Sequence, residues 1–278
     1  MIAAAEPPVS LLQAVVLGLV EGLTEFLPVS STGHLIVAQR LLGLPEGEVA
    51  NVFAIAIQMG AITAILVLYW RRLVAAMGSM LRPLSGQPNL LWQILCGAVP
   101  AAGLGLAADD WIDNHLFSPA VVAATMMIGG VLLLVVERLV KRRPPGVELA
   151  ALSYRQAFGV GLFQCLALVP GTSRSAATIC GALLLGQSRA AAAEFSFLVG
   201  LPILYGASAF KLRKHLDVLQ GDLLLPFVVA TTVAFVSALL VVVPFVRFVR
   251  RHDFVPFAWY RLVGGAALAW ACWRGLLA

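Results

Sequence analysis

Charge is what this chain has least of. Asp, Glu, Lys and Arg make up 12% of its 278 residues, against 60% hydrophobic residues and a mean hydropathy of +0.93. That balance excludes an ordinary soluble domain, where about a quarter of residues are charged. Cysteine is scarce as well. Cys96, Cys165, Cys180 and Cys272 stand singly in apolar segments without metal-type spacing, which argues against both a disulfide framework and a zinc site. No basic cluster of the nucleic-acid-binding kind exists. The formal charge of +5 comes mostly from loop Lys and Arg and reports membrane topology, so no nucleic-acid partner is expected. Met1–Ser10, uncharged apart from Glu6, lacks the basic start of a cleavable signal.

What is abundant is long apolar sequence. Runs near Phe53–Tyr69, Leu90–Ala107, Ser118–Val136, Ala192–Phe210, Leu223–Val246 and Val255–Leu277 are each long enough to cross a hydrocarbon core of about 30 Å as helix. Trp70, Trp92, Trp111, Trp259, Trp270 and Trp273 lie near the ends of these runs, as an aromatic belt requires. The fold class is therefore an all-α integral membrane protein embedded in a lipid bilayer.

The chain also repeats itself. Gly18 aligned with Gly161 sets an offset that places Glu21 opposite Gln164; after a gap at Leu27, Pro28 faces Pro170 and Ser31 faces Ser173. Each copy opens with short, Pro-interrupted apolar segments: Leu11–Leu27 and His34–Leu44, then Arg155–Val169 and Ser175–Leu185. Each pair is expected to form a re-entrant helical hairpin, since non-helical backbone at membrane depth survives only where it is buried or lines a polar cavity. Three full spans follow each hairpin. Three is odd, so the second copy enters from the opposite side, giving an inverted-topology repeat of about six transmembrane helices and two re-entrant hairpins. It forms one membrane domain, with repeats at about 10–140 and 153–278. Arg71, Arg72 and Arg82, then Lys141–Arg143, then Arg247, Arg250 and Arg251 fall on one side, cytoplasmic by the positive-inside rule; a loop holding Asp109, Asp110 and Asp113 falls on the other. Lys211–Lys214 dissents, as a basic external loop.

Of 14 acids, only Glu21, Glu25 and Glu194 lie within or beside apolar helical runs. An ionisable group at membrane depth costs several kcal/mol and marks a site. Glu21 and Glu25 are four residues apart and share one helix face, where two like charges need a cation or a proton between them. A hard divalent ion, Mg or Ca, held by both carboxylates and by substrate phosphate oxygens would meet that need. Ser30, Ser31 and Thr32 sit where a new helix starts, the ordinary place for N-caps. His34 lies three residues past Ser31 and four past Ser30, so its ring can reach either hydroxyl, and a serine beside an imidazole is the minimal activated nucleophile. Spacing alone leaves serine and His34 both open as the group that takes a phosphoryl. His115, His215 and His252 fall in loop-like stretches. In the second turn, Gly171 permits close backbone approach, Thr172, Ser173 and Ser175 bring hydroxyls to a helix start, and Arg174 adds a donor fork that matches phosphate oxygens. Arg40, Arg189 and Arg261 are read as snorkelling to the interface.

At Glu21-Gly-Leu-Thr-Glu-Phe-Leu-Pro-Val-Ser-Ser-Thr-Gly-His34 and Pro170-Gly-Thr-Ser-Arg-Ser-Ala-Ala-Thr178, with support from Ile57–Gly60 and Glu194–Phe197, the sequence resembles the bacitracin-resistance family of undecaprenyl-diphosphate phosphatases. The resemblance covers nearly the whole chain. It implies catalytic-site roles for Glu21, Glu25, Ser31, His34, Ser173, Arg174 and Thr178, dependence on a divalent metal, undecaprenyl diphosphate as substrate, and a bacterial inner-membrane site facing the periplasm. Ala176 departs from the glycine common there. The reaction expected is attack by Ser31 on the terminal phosphorus with His34 as base; direct water attack and a phospho-His34 intermediate stay open. A lipid-phosphate flippase or anion transporter of the same architecture is the rival. A homo-oligomer is compatible with the sequence, and Gln58 and Glu194 are either site contacts or partners of nearby backbone.

Overall fold

The computed structural model describes residues 9–44, 47–80, 88–116, 118–144, 146–214 and 223–276. Most of Met1–Ser10, Arg82 and His215 lie outside them. The described residues form helices α1 (Leu11–Thr24), α2 (Ser31–Leu41), α3 (Glu48–Ser79), α4 (Leu90–His115), α5 (Pro119–Val140), α6 (Tyr154–Gln164), α7 (Arg174–Leu184), α8 (Arg189–Lys214), α9 (Leu224–Val249) and α10 (Val255–Trp273). No sheet occurs among them; Val147 alone pairs in strand fashion, with Gln187.

Five helices are long and apolar enough to cross a membrane: Val52–Ser79, Leu90–Ala108, Pro119–Val140, Arg189–Arg213 and Leu224–Val249. The sixth expected run, Val255–Leu277, forms the 19-residue α10. It is not among these five because Arg261 and its tryptophans dilute its apolarity. Two expected loops are helix instead. The stretch 109–113 continues α4, and Lys211–Lys214 ends α8. No glycine or proline interrupts either stretch, so nothing stops the helix.

The short helices follow one local code twice. Ser10 caps α1 and Ser153 caps α6, each in a capping box closed by the glutamine three residues on, Gln13 or Gln156. The helices α2 and α7 are both 11 residues long. Both end before a glycine in the left-handed region, Gly43 at φ 67° and Gly186 at φ 90°, which lets the chain turn back without a Cβ clash. Three longer helices follow each pair, and Pro119 and Pro256 occupy the first turns of α5 and α10. The caps put Ser30 opposite Ser173 and Ser31 opposite Arg174. The gap inferred at Leu27 is therefore absent at the helix starts, because capping geometry fixes the register there and Pro28 does not.

The halves pack into each other. Helix α1 lies on α9 and α6 on α4, while α3 meets α8 and α5 meets α10. Small residues make the close crossings. A Cβ on Gly22 would strike the Ser237 hydroxyl and the Ala234 carbonyl, and one on Gly161 would strike the Gly97 carbonyl. Apolar side chains such as Leu132, Val135, Leu240 and Val263 point outward, as a lipid surrounding requires. At one end, buried Glu137 of α5 accepts from Arg189 Nε at 2.9 Å and Nη2 at 2.5 Å, and from the Phe254 amide at 2.9 Å, joining α5, α8 and the start of α10. Arg189 thus pairs instead of snorkelling.

Removing one partner of a buried ion pair costs about 3–5 kcal/mol. Glu137→Ala is therefore expected to lower the stability of the detergent-solubilised protein by about that amount. Arg72→Ala, at a largely exposed arginine, should cost less than about 1 kcal/mol. Thermal unfolding of the two variants side by side checks the contrast.

Candidate active site

The two Pro-containing turns, 25–30 and 169–173, meet. Each ends on a serine forced into the left-handed region, Ser30 at φ 71° and Ser173 at φ 68°, among the few non-glycine residues there. Such backbone strain costs about 1–3 kcal/mol and collects at functional sites. Each strained serine caps the helix that follows: Ser30 Oγ accepts from the Gly33 amide at 3.4 Å and Ser173 Oγ from the Ala176 amide at 3.2 Å. Ala176 is buried beneath that cap, and its methyl leaves the bond intact.

A polar chain crosses between the halves at this point. Ser31 Oγ donates to Glu25 Oε2 at 2.7 Å, and Arg174 Nη2 donates to Glu25 Oε1 at 3.1 Å. The Arg174 and Glu25 side chains are 9% and 5% exposed, so water screens this pair little. Arg174 Nη1 donates to the Ser196 carbonyl at 2.6 Å, whereas its Nε is buried without a partner. Gly200 makes room for this guanidinium, since a Cβ there would collide with it. Thr178 donates to the Ser196 hydroxyl at 2.7 Å, and Ser175 donates to the Leu27 carbonyl at 2.8 Å, a second tie between the turns. Thr32 and Thr172 are half-buried at the two helix starts.

Glu21 lies one turn before Glu25, and both its carboxylate oxygens are buried without a partner. Among the described residues no group of three or more His, Cys, Asp and Glu comes together. Such a donor set does not make an all-protein metal cage. It fits the magnesium mode, in which one or two carboxylates share the ion with substrate phosphate and water.

Several expectations change in detail. His34 touches neither serine hydroxyl. Its Nδ1 lies 2.7 Å from the Ser30 carbonyl and its Nε2 lies 2.6 Å from the Tyr260 hydroxyl, with the two rings stacked. A carbonyl only accepts, so Nδ1 donates to Ser30 and the ring is held between that carbonyl and the tyrosine hydroxyl. The i, i+3 spacing permitted the Ser31 contact, but the ring takes the Ser30 carbonyl one turn back, which also accepts the His34 amide at 3.4 Å. Gly171, at φ 85°, makes its close approach to α5, where a Cβ would collide with Thr125 and Val122. Glu194 pairs with Arg72 at 2.6 Å and Arg250 at 3.3 Å, which satisfies it outside the Glu25–Arg174 chain. Arg261, expected at the interface, is fully buried behind the 170–173 turn. Its signal was in the sequence, a lone charge within an apolar run; Tyr260 had none.

A sequence model of the bacitracin resistance protein BacA matches residues 14–267. The chain belongs to the BacA family. That is a family of phosphatases, and with five apolar helices long enough to span, this member is a multi-pass membrane protein. The match takes in both turns and all the residues of the crossing chain.

The strained caps give a test. Ser173→Ala loses the cap while keeping a Cβ in the left-handed region, and should cost about 1 kcal/mol. Ser173→Gly loses less cap energy and relieves the strain, so it should be neutral or stabilising. Denaturation midpoints of the two variants in detergent, measured against wild type, decide this.

Proposed function

We propose that this chain hydrolyses undecaprenyl diphosphate to undecaprenyl phosphate and inorganic phosphate in the bacterial inner membrane. The observation that carries the reading is the Ser31–Glu25–Arg174 chain, a hydroxyl, a base and a cation shared between two helix starts. The family supports the same reaction. Each short-helix pair is read as a re-entrant hairpin, and the halves as inverted in topology, with the site open to the periplasm.

In this mechanism the terminal phosphate lies against the start of α7, where free amides and the positive dipole end favour an anion. Arg174 Nε is the donor left over for it. Ser31 Oγ attacks the terminal phosphorus and passes its proton to Glu25, the carboxylate already in contact with it. The anhydride P–O bond breaks and the polyprenyl phosphate leaves. Water then cleaves the phosphoserine and releases phosphate. Glu25 thus takes the part of base that spacing had offered to His34. His34, held between the Ser30 carbonyl and Tyr260, borders a cavity of about 890 Å³ walled by Val16, Val20, Val37, Met126 and Leu268, and this mainly apolar space suits the first isoprene units. Glu21 and Glu25 would hold a divalent ion, Mg or Ca, which would neutralise diphosphate charge.

Phosphate release from undecaprenyl diphosphate by purified protein tests this. Ser31→Ala, Glu25→Gln and Arg174→Ala should each lower kcat by about 10²–10⁴-fold. His34→Ala should cost less than Ser31→Ala, and chelator should abolish release. Wild type that moves lipid between leaflets without releasing phosphate would establish the carrier. Full activity in Ser31→Ala would transfer the nucleophile to His34, Ser30 or water.

A further inference from the structure

Arg261 stands out from every other cation in the described structure. It is 0% exposed, lies in the middle of α10, and forms no ion pair with a carboxylate among the described residues. Its guanidinium donates only to backbone. Nε reaches the Met126 carbonyl at 3.2 Å, and Nη2 reaches the carbonyls of Thr125 at 3.1 Å, Gly171 at 3.3 Å and Thr172 at 2.9 Å. Nη1 is buried with no partner. A β-carbon at Gly129 of α5 would collide with this side chain, so the helix beside it is shaped to admit it. A buried guanidinium without a counter-charge is expensive, and carbonyl dipoles offset only part of that cost.

Two of those carbonyls belong to the turn before α7. Thr125 Oγ1 takes a third, donating to the Pro170 carbonyl at 2.7 Å. Three successive carbonyls of the turn are thus held from the α5/α10 side. In a planar trans peptide the N–H lies opposite the C=O. Holding the Thr172 carbonyl therefore aims the Ser173 amide away from α10, and holding the Gly171 carbonyl sets the Thr172 amide, which closes the turn on the Val169 carbonyl at 3.2 Å. Ser173, with its left-handed backbone, and Arg174 follow directly.

We infer that Arg261 is a positioning residue for the anion site. It fixes the 170–173 turn with the Ser173 amide facing a bound phosphate, and its charge is balanced by that anion and not by a protein carboxylate. The inference rests on the diphosphate reading of the site, but its central test needs only anion binding. The probe is inorganic pyrophosphate, titrated against purified protein in detergent at constant ionic strength. Folded Arg261→Met, checked by monodisperse elution, should bind it at least ten-fold more weakly than wild type. Arg261→Lys keeps the charge but cannot span the same carbonyls, so its affinity should return to within about three-fold of wild type while kcat for phosphate release stays at least ten-fold down. A purely structural arginine would not divide binding from turnover in this way. Folded Arg261→Met with wild-type affinity overturns the inference. If that variant does not fold, Arg261→Lys with wild-type kcat and KM overturns it. Wild type that binds pyrophosphate but releases no phosphate defeats the phosphatase reading and leaves this one standing; wild type that binds none defeats both.

Discussion

One carboxylate, Glu25, ties the two halves of the chain together. It accepts Ser31 from its own half and Arg174 from the other, in a place where both charged side chains are more than nine-tenths buried. Either charge alone would be costly at that depth, and together they offset each other only if the geometry holds. Much of the surrounding structure serves that geometry. The Ser175–Leu27 bond fixes the turns against each other, Gly200 leaves space for the guanidinium, and the glycine contacts of α1 with α9 and α6 with α4 lock the short helices onto the opposite half.

The site contains more polar groups than it satisfies. Both oxygens of Glu21, the Nε of Arg174 and the Nη1 of Arg261 are buried without partners. In a well-packed interior such groups are few, and each calls for an explanation. Their signs are opposed, acid on α1 and guanidinium on α7 and α10, which suits a guest carrying both phosphate oxygens and a cation. Stability is given up here, and the proposed diphosphate with its ion would complete the surface.

The long helices and the short ones were legible because each is announced locally, the former by apolar length and the latter by proline and capping residues. Each of the four short helices starts after a serine cap, at Ser10, Ser30, Ser153 and Ser173, and the expected breaks fell within a few residues of the observed ones. The residues of the site were legible as buried charge in an apolar chain. Their pairing was not. Spacing on one helix joined Ser31 to His34, whereas the partner that holds Ser31 is a carboxylate six residues back across a strained turn. Contacts across the halves, such as Arg261 with Gly171 and Tyr260 with His34, depend on how α10 docks. No periodicity within a single segment encodes that docking.

The matched caps place residue 31 of the first half at the same point as residue 174 of the second, yet one is serine and the other arginine. Two identical halves would have set serine against serine, or one guanidinium against another. The first arrangement lacks a cation to receive the phosphate, and the second repels itself. An assembly of two half-length chains of one sequence therefore cannot reproduce this centre, however faithfully it copied the fold. The proposed chemistry requires two copies of different sequence, each specialised while the other compensates.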